Sequence, residues 1–382
     1  MSHSPPPNDE RLLSLDAFRG MTIMAMILVN NPGTWSAVYP PLRHADWHGW
    51  TPTDLIFPFF LFMVGVSIVF SLQTRLASGA SKRALSLKVV ARAVKVYLLG
   101  LLLFFFHHGL TCNIGEIRFC GVLARIAVVF LICGLIFIFF KPRVQVLLCV
   151  LFLVGYWLCM TKVPTPGNDG QVMLEPGNNL AAWIDGKVMP FGHFFHQVPD
   201  TDENRVSWDP EGPFSTIPAL ATCLIGVFVG LLLRNRGKTQ EHKVITLYFS
   251  GVLLGIGGCL WGLHFPINKP IWSSSYVLLT AGLGCIILAS CVYLIDMLGR
   301  KRLLYPAVVF GSNAITMYCL SSLLAGLVFY GGDWRLNVEA VHSLTHAGYS
   351  AEFASLWYAL FFVAVNFLPA WLLYRSRVFL RV

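Results

Sequence analysis

A polar loop between the first two apolar segments of the chain carries residue types that serve acid–base chemistry. His44 lies in the run LRHADWHGW. Histidine titrates near neutral pH, so it could take a proton from an attacking amine or hydroxyl, the alternative being a merely hydrogen-bonded loop histidine. Asn30 ends the first apolar segment, where its amide could donate to a developing oxyanion or cap a helix. Asp54 is the last residue of the capping-box pattern TPTD. Helix capping alone would explain an aspartate at this position, and its carboxylate could also orient His44.

Two further pairs of polar residues lie within apolar segments. Asp16 and Arg19 are three residues apart on the first segment, so they could pair with each other. Alternatively, Arg19 could meet a phosphate that enters from the cytoplasm, since the guanidinium suits phosphate geometry. Ser312 and Asn313 lie in GSNAITMY within the predicted ninth helix, where small and amide residues most often pack helices together.

A third group of polar residues falls at the predicted outer boundary of the membrane. Arg125 lies just inside an apolar helix in GVLARI, where a buried guanidinium needs an acidic partner or an anionic ligand. Candidate partners are Glu116, Asp209 and Glu211. The run INKPIW adds more hydrogen-bonding groups at the same boundary. We predict that the following residues bind substrate: Arg125, Asp209, Glu211, Asn268, Lys269 and Trp272.

The composition defines the elements that must position these residues. Of the 382 residues, 56% are hydrophobic and only 12% are charged, whereas a soluble domain carries about 25% charge. We therefore expect an all-α, polytopic membrane bundle of about ten helices, each near the roughly 20 residues that a bilayer requires. The predicted spans are residues 14–30, 54–74, 88–107, 121–140, 144–160, 213–233, 243–263, 273–296, 306–329 and 353–374.

The distribution of Lys and Arg predicts the orientation of the bundle. Most of the 28 basic residues cluster at one set of segment ends, so the positive-inside rule puts both termini in the cytoplasm. This rule accounts for the net charge of +9, and we expect no nucleic-acid partner. We predict a disordered cytoplasmic tail at 1–10 and a single transmembrane domain at 11–382. Within it, the long extracytoplasmic loop 161–212 should cap the bundle.

The ten cysteines lie almost all in apolar runs, and the sequence contains no C-x-x-C pair. The spacing therefore indicates neither a zinc site nor a thioredoxin-type site, and we expect no metal. Cys112 and Cys120 could pair if their loop is extracytoplasmic, although nothing in the sequence fixes their geometry.

Taken together, several collinear motifs resemble one family of membrane acyltransferases. They are RLLSLDAFRG, LVN, the run H-A-x-W-x-G-x-T-x-x-D-L-x-F-P at 44–58, GVLARI, WDPEG, NKPIWSSSY and GSNAITMY. The family is that of heparan-alpha-glucosaminide N-acetyltransferase, including its bacterial members. We expect a bacterial member that lacks the family's luminal domain and its additional preceding helix.

The resemblance implies an activity, a donor and site residues. It implies transfer of acetyl from cytosolic acetyl-CoA to an extracytoplasmic amino sugar of the glucosamine type, across the inner membrane, by a homodimer. By motif, the family's active-site histidine falls on His44 and its partner asparagine on Asn30. We assign Asp54 to the same catalytic site as the residue that could orient His44. We assign the binding of acetyl-CoA to these residues: Asp16, Arg19, Ser312 and Asn313.

Alternatives remain for both the mechanism and the function. His44 could act as a general base or could form an acetyl-histidine intermediate. The same base and oxyanion donor would also serve an O-acetyltransferase of envelope polysaccharide. A permease for N-acetylglucosamine would use no acetyl-CoA at all, and the lack of a visible inverted repeat counts mildly against it.

Overall fold

The structure is a computed structural model that describes residues 12–108, 117–189, 193–196, 207–326 and 335–379. Within these ranges nine helices are long and apolar enough to cross a membrane, and a bent pair makes up to ten. The prediction of an all-α, polytopic membrane protein is confirmed. The predicted tail at 1–10 lies outside the described residues, and the orientation of both termini stays a prediction.

The first five long helices follow the predicted spans closely. They are α1 (Leu13–Asn30), α2 (Ile56–Ala77), α3 (Lys82–His108), α4 (Val122–Phe139) and α5 (Pro142–Lys162). The fifth is longer than predicted, because Pro142 occupies the first helical turn, where its missing N–H costs nothing.

A short hairpin and a short helix follow in the predicted cap. The hairpin pairs β1 (Leu174–Glu175) with β2 (Asn178–Asn179), and α6 (Leu180–Val188) starts directly after it. The remaining helices are α7 (Thr216–Arg234), α8 (Gln240–Gly262), α9 (Ser274–Cys291, continued by a π-helical turn at Val292–Met297), α10 (Tyr305–Ser312), α11 (Ala314–Leu324), α12 (Leu336–His346) and α13 (Ala351–Arg375).

The predicted ninth span is not one continuous helix. α10 and α11 meet at an angle of 87°, and Asn313 lies between them rather than within a helix. Its side-chain Nδ2 donates to the carbonyl of Val378, 3.0 Å away, just beyond the end of α13. The apolar run contains no Pro at this break, but Gly311 and Ser312 directly precede it, and a Gly–Ser pair is a type of sequence at which helices bend.

Five long helices form the centre of the bundle, namely α1, α2, α4, α7 and α9, and the other long helices lie at its periphery. In their most apolar stretches, 67% of α2 and 72% of α7 is buried, against 22% of α3 and of α8. α2 and α7 approach at glycines: a Cβ on Gly65 would lie 1.9 Å from the carbonyl oxygen of Cys223. Gly20 and Gly311 allow the same closeness between α1 and α10, which is how small residues bring membrane helices together.

The long connections meet on one side of the bundle, in what we call the loop layer: residues 31–55, 163–189, 193–196, 207–215 and 263–273. Trp47 Nε1 donates to the carbonyl of Leu174 at 2.8 Å, and Gly49 N donates to that of Ile267 at 2.7 Å. The loop after α1 is thereby fixed to two segments that are far away in sequence. This layer positions the polar residues discussed next.

Candidate active site

A cavity of about 630 Å³ lies where the loop layer meets α1, α2, α4 and α11. Its wall has three zones. The aromatic rim consists of Trp47, Phe195, His196 and Trp208; the polar band of Asn30, His44, Asp46, Asp54, Arg118, Glu211 and Lys269; and the apolar floor of Met26, Val29, Phe57, Phe60, Leu123, Ile126, Ile315 and Tyr318. The volume falls within the range of about 300–1,000 Å³ that is usual for small-molecule sites.

The polar band contains a histidine bonded to a buried carboxylate. His44 Nδ1 lies 2.6 Å from Asp54 Oδ1. The side chain of His44 is 54% exposed, whereas that of Asp54 is 2% exposed. Because Nδ1 faces the carboxylate, Nε2 is the ring nitrogen that is left to face a substrate. A carboxylate in this position holds an imidazole in one orientation and one tautomer.

Asp54 is itself held firmly by its neighbours. Its Oδ2 accepts hydrogen bonds from the backbone N–H groups of Ala45, at 3.0 Å, and Thr51, at 3.1 Å. The capping box of Thr51 and Asp54 is present and starts a 3-10 turn that leads into α2. The buried hydroxyl of Tyr276 donates to the backbone carbonyl of Asp54. The carboxylate therefore caps the turn and contacts His44 at the same time, so both interpretations of the sequence apply.

Lys269 completes the polar band from the other side. Its Nζ lies 3.1 Å from His44 Nδ1 and 3.4 Å from Asp54 Oδ1. Burial lowers the pKa of this ammonium, and the charges of Asp54 and Glu211 act in the opposite direction. Lys269 thus brings a cation next to the most buried carboxylate of the cavity wall.

Asn268, by contrast, supports the site from behind. Its side chain is fully buried and does not line the cavity. The Nδ2 atom donates to the carbonyl of Trp47 at 2.9 Å, and the Oδ1 atom accepts from Ile271 N at 2.9 Å. The predicted substrate-binding residue therefore fixes the turn that presents Lys269.

Asn30 is the last residue of α1, and its exposed side chain lines the cavity. The helix end is capped by its neighbour, because Asn31 Nδ2 donates to the carbonyl of Ile27 at 2.8 Å. Among the described residues, no partner hydrogen-bonds to the amide of Asn30. That amide is therefore available to a ligand in the cavity.

The acidic residues of WDPEG pair with a different arginine from the one we predicted. Arg118 Nε and Nη2 each lie 2.7 Å from an oxygen of Asp209, and Nη2 also contacts Glu211. Burial lowers the pKa of Arg118, but the hydrogen bond to Asp209 and the charge of Glu211 outweigh it and raise the pKa overall. The expectation that Asp209 or Glu211 would pair with Arg125 is wrong, and the third candidate, Glu116, lies outside the described residues. Sequence reasoning missed Arg118, although it precedes α4 at the same boundary.

Arg125 and Trp272 lie behind the cavity wall. The guanidinium of Arg125 stacks 5.1 Å from the ring centre of Trp272, and its Nη2 donates to the carbonyl of Gly212 at 3.0 Å and to the hydroxyl of Ser215. Trp272 is 1% exposed, and its Nε1 donates to the hydroxyl of Thr222 at 3.1 Å. Neither residue lines the cavity, so their predicted role in substrate binding stays a prediction.

The four predicted acetyl-CoA residues do not line this cavity either. Arg19 pairs with Asp16 at 3.1 Å and also donates to the hydroxyl of Ser67 on α2. Arg19 precedes Asn30 by eleven residues, or about 16 Å along the helix. Asn313 lies at the break between α10 and α11, and the neighbouring Ser312 hydroxyl donates back to the carbonyl of Val309 at 2.8 Å. The structure therefore separates this group from the polar band.

The aromatic rim is a feature that the sequence did not indicate. Trp208 stacks on His196 with ring centres 4.2 Å apart and an angle of 20°, and a two-way backbone bridge at 3.0 Å joins the same two residues. Trp47 meets Trp208 edge-on at 5.3 Å. Burial lowers the pKa of His196. The rim thus offers a flat, mostly apolar surface above the polar band.

The possible pairing of Cys112 with Cys120 stays a prediction, because Cys112 lies outside the described residues. Cys120 is a free thiol whose Sγ lies 3.3 Å from Sδ of Met189, and burial raises its pKa to about 12. Within the part of the chain that the structure describes, no three His, Cys, Asp or Glu side chains are grouped so that they could hold a metal ion.

The fold and the cavity define a class: an integral membrane protein whose cavity carries a histidine oriented by a buried carboxylate. Comparison with known proteins specifies this further. Residues 11–185 match the family model described as heparan-alpha-glucosaminide N-acetyltransferase, catalytic. This stretch includes α1 to α5 and contains Asn30, His44 and Asp54.

Two curated relatives match nearly the whole chain. The heparan-alpha-glucosaminide N-acetyltransferase of Homo sapiens is 26% identical over 427 residues, covering 100% of this chain and 61% of that protein. The protein of the same name from Mus musculus is 26% identical, with 97% and 60% covered. The chain is thus similar to these two proteins along nearly its whole length, and the predicted resemblance is confirmed. It spans about three fifths of the length of these curated relatives.

A shorter match is of another kind. NADH-quinone oxidoreductase subunit N of Leptospira biflexa is 31% identical over 165 residues, which cover 42% of this chain and 32% of that protein. A match that covers less than half of either chain carries no argument about function.

Proposed function

We propose that the protein transfers an acetyl group from acetyl-CoA to the amino group of a hexosamine of the glucosamine type. The observation that carries this proposal is the pair of His44 and Asp54 in the cavity wall, 2.6 Å apart. It lies within the stretch that matches a catalytic family model. The names of the two curated relatives support N-acetyl transfer and an amino-sugar acceptor.

The reaction at the polar band begins with loss of a proton from the acceptor. His44 Nε2 takes a proton from the sugar amine as the amine nitrogen attacks the thioester carbonyl carbon. A C–N bond forms, the carbonyl oxygen becomes an oxyanion, and the C–S bond then breaks to release the CoA thiolate. A positioned base contributes about 10²–10⁴-fold to such a step.

Asn30 stabilises the oxyanion in this scheme. Its amide lines the cavity and is free of partners among the described residues, because the capping of α1 is done by Asn31. An oxyanion donor of this kind contributes about 10²–10³-fold. Lys269 balances the charge of Asp54, which would otherwise be a buried carboxylate with no nearby cation.

The donor enters from the opposite end of the bundle, which we propose is cytoplasmic. Asp16, Arg19, Ser312 and Asn313 remain our proposed contacts for acetyl-CoA. On α2, the floor residue Phe60 and the Arg19 partner Ser67 are seven residues apart, or about 10 Å. The helix packing across this distance must open for the thioester to reach His44. Placement in a bacterial inner membrane, with the loop layer outside and two chains in a homodimer, stays part of the proposal.

A purified assay tests the proposal. The full chain is incubated with acetyl-CoA and a panel of hexosamines, and thiol release and product mass are measured. We expect N-acetylated hexosamine, and at least a hundredfold loss in His44→Ala. His48→Gln, a change at the other histidine of the same loop, is the matched control and should stay within a few-fold of the unmodified protein.

Three further measurements separate the alternatives. Acetylated envelope glycan in place of N-acetylhexosamine would favour an O-acetyltransferase. Movement of N-acetylglucosamine into proteoliposomes without acetyl-CoA would favour a permease. Labelled acetyl trapped on His44 in the absence of sugar would identify a covalent intermediate in place of direct transfer.

A further inference from the structure

The cationic side chains of the cavity wall form ion pairs with carboxylates of the protein. Arg118 contacts both oxygens of Asp209 and one oxygen of Glu211. Lys269 Nζ lies 3.4 Å from Asp54 Oδ1. Among the described residues that line the cavity, Arg118 and Lys269 are the Lys and Arg side chains. An anionic group entering the cavity would therefore have to compete for each of them.

The carboxylates of the wall outnumber these cations. Asp46, Asp54 and Glu211 line the cavity, and Asp209 stands directly behind Arg118. The carboxylate of Asp46 is exposed and has no hydrogen-bond or ion-pair partner among the described residues. Histidines apart, the site is thus acidic, although the chain as a whole carries a net charge of +9.

The shape of the wall agrees with an acceptor of modest charge. The rim offers the stacked pair Trp208 and His196, which suits the apolar C–H face of a sugar ring. A polyanionic chain would instead require exposed arginines in a fork geometry, since these bind sulfate and carboxylate groups best. The fork of Arg118 is filled from within the protein.

We propose that the acceptor is an amino sugar without sulfate, phosphate or carboxylate groups, selected by the excess negative charge around the rim and polar band. This inference rests on the proposed function and adds the charge class of the substrate. It separates the chain from its curated relatives, whose printed name refers to a heparan glucosaminide. Charges that line a cavity act on any ligand that enters it and are screened by salt.

The experiment compares two sugars that share the reacting amine and differ in charge. Glucosamine and glucosamine 6-sulfate are tested with the full-length protein, both in acetyl transfer with acetyl-CoA and in calorimetric binding without it. We expect kcat/KM and affinity to be about tenfold higher for glucosamine at low salt, one charge at several ångströms being enough for this. The preference should shrink as salt is added.

Substitution of Asp46 tests the origin of this preference. Asp46→Asn should reduce the preference for glucosamine about threefold, because it removes a negative charge from the cavity wall without breaking a contact to another residue. Asp46→Lys should reduce the preference further, because it also adds a positive charge. The matched control is Asp169→Asn, an exposed carboxylate outside the cavity at a positive φ of 49° that Asn tolerates. It should leave the preference unchanged.

The outcomes distinguish this inference from the proposed function. If neither sugar is acetylated but glucosamine binds better and Asp46→Asn weakens that preference, the proposed function fails and the charge selection stands. If both sugars bind alike, if the sulfated sugar binds better, or if neither binds, the charge selection is overturned whatever the turnover.

Discussion

Polar groups occur at two depths in this bundle, and they are held in different ways. At the cavity, His44 and Asp54 meet Lys269, which is more than 200 residues away in sequence. At the other depth, Arg19 pairs with Asp16 on its own helix and reaches across to Ser67. The first group lines a cavity and the second does not. In the proposed scheme the chemistry takes place at the cavity end, and at the other end acetyl-CoA replaces one of the internal partners of these charged groups.

Asp54→Asn should give the largest effect on the cavity end. An amide can still cap the turn before α2, but it cannot hold the His44 imidazole in the correct tautomer. We expect turnover to fall about 10³–10⁴-fold. Thr51→Ala is the matched change: it removes a cap contact to the same carboxylate, and should lower stability by about 1 kcal/mol with little loss of turnover. Equal losses of turnover in both variants would contradict an orienting role.

Asn30→Ala and Asn31→Ala separate catalysis from helix capping at neighbouring positions. Loss of the Asn30 amide should lower kcat about 10²-fold, because an oxyanion donor is removed. Loss of the Asn31 amide should instead lower the free energy of unfolding by about 1 kcal/mol, because its bond to the carbonyl of Ile27 is removed. Kinetics and thermal unfolding of both variants check this. The reverse assignment of effects would remove Asn30 from the mechanism.

The loop layer also contains a buried carboxyl group that should make stability depend on pH. Burial raises the pKa of Asp185 to about 7, despite the hydrogen bond from Phe214 N and the charge of Arg125. Between its ordinary pKa and about 7, the folded state binds this proton and the unfolded state does not. Stability therefore falls as pH rises, by about 2–3 kcal/mol between pH 5 and 7.

Unfolding of Asp185→Asn across the same pH range checks this expectation. The amide keeps an acceptor for Phe214 N and carries no charge at any pH. The decline in stability with rising pH should flatten in this variant. A variant with the same pH dependence as the unmodified protein would show that another group is responsible.

The smallest effect is expected at the other depth of the bundle. Arg19→Gln should raise KM for acetyl-CoA about tenfold, through loss of one charge-assisted hydrogen bond, and leave kcat nearly unchanged. Arg75→Gln removes an exposed cation from the end of α2 and serves as the control for net charge. A loss confined to kcat in Arg19→Gln would contradict the assignment of acetyl-CoA binding to Arg19 and of the chemical step to the cavity.

The sequence predicted the helices well because segment length and hydropathy determine which stretches can cross a bilayer. Segment length and hydropathy did not predict the break at Asn313, since they do not register the preceding pair of Gly311 and Ser312, at which a helix can bend. The sequence offered Asp54 as a residue that could orient His44, but the spacing of the two residues did not assign that carboxylate, and the contact is seen only in the structure. The contact of Lys269 with this pair depends on how distant loops meet, and spacing along the chain does not contain that information.

The two arginines near α4 show the same limit. Physical reasoning correctly required partners for a guanidinium inside a membrane bundle. It assigned the carboxylates to Arg125, which lies inside the helix, and overlooked Arg118 just before it. In the structure the carboxylates pair with Arg118, while Arg125 is satisfied in part by a carbonyl, a hydroxyl and the face of Trp272.

The central claim is that His44 accepts a proton from an amine while the donor arrives from the opposite side of the membrane. Proteoliposomes of uniform orientation, with labelled acetyl-CoA on the side away from the loop layer and glucosamine on the loop-layer side, test it directly. We expect labelled N-acetylglucosamine on the loop-layer side, and at least a hundredfold less of it in folded His44→Ala. Undiminished product in His44→Ala, or product confined to the side of the donor, would contradict the account.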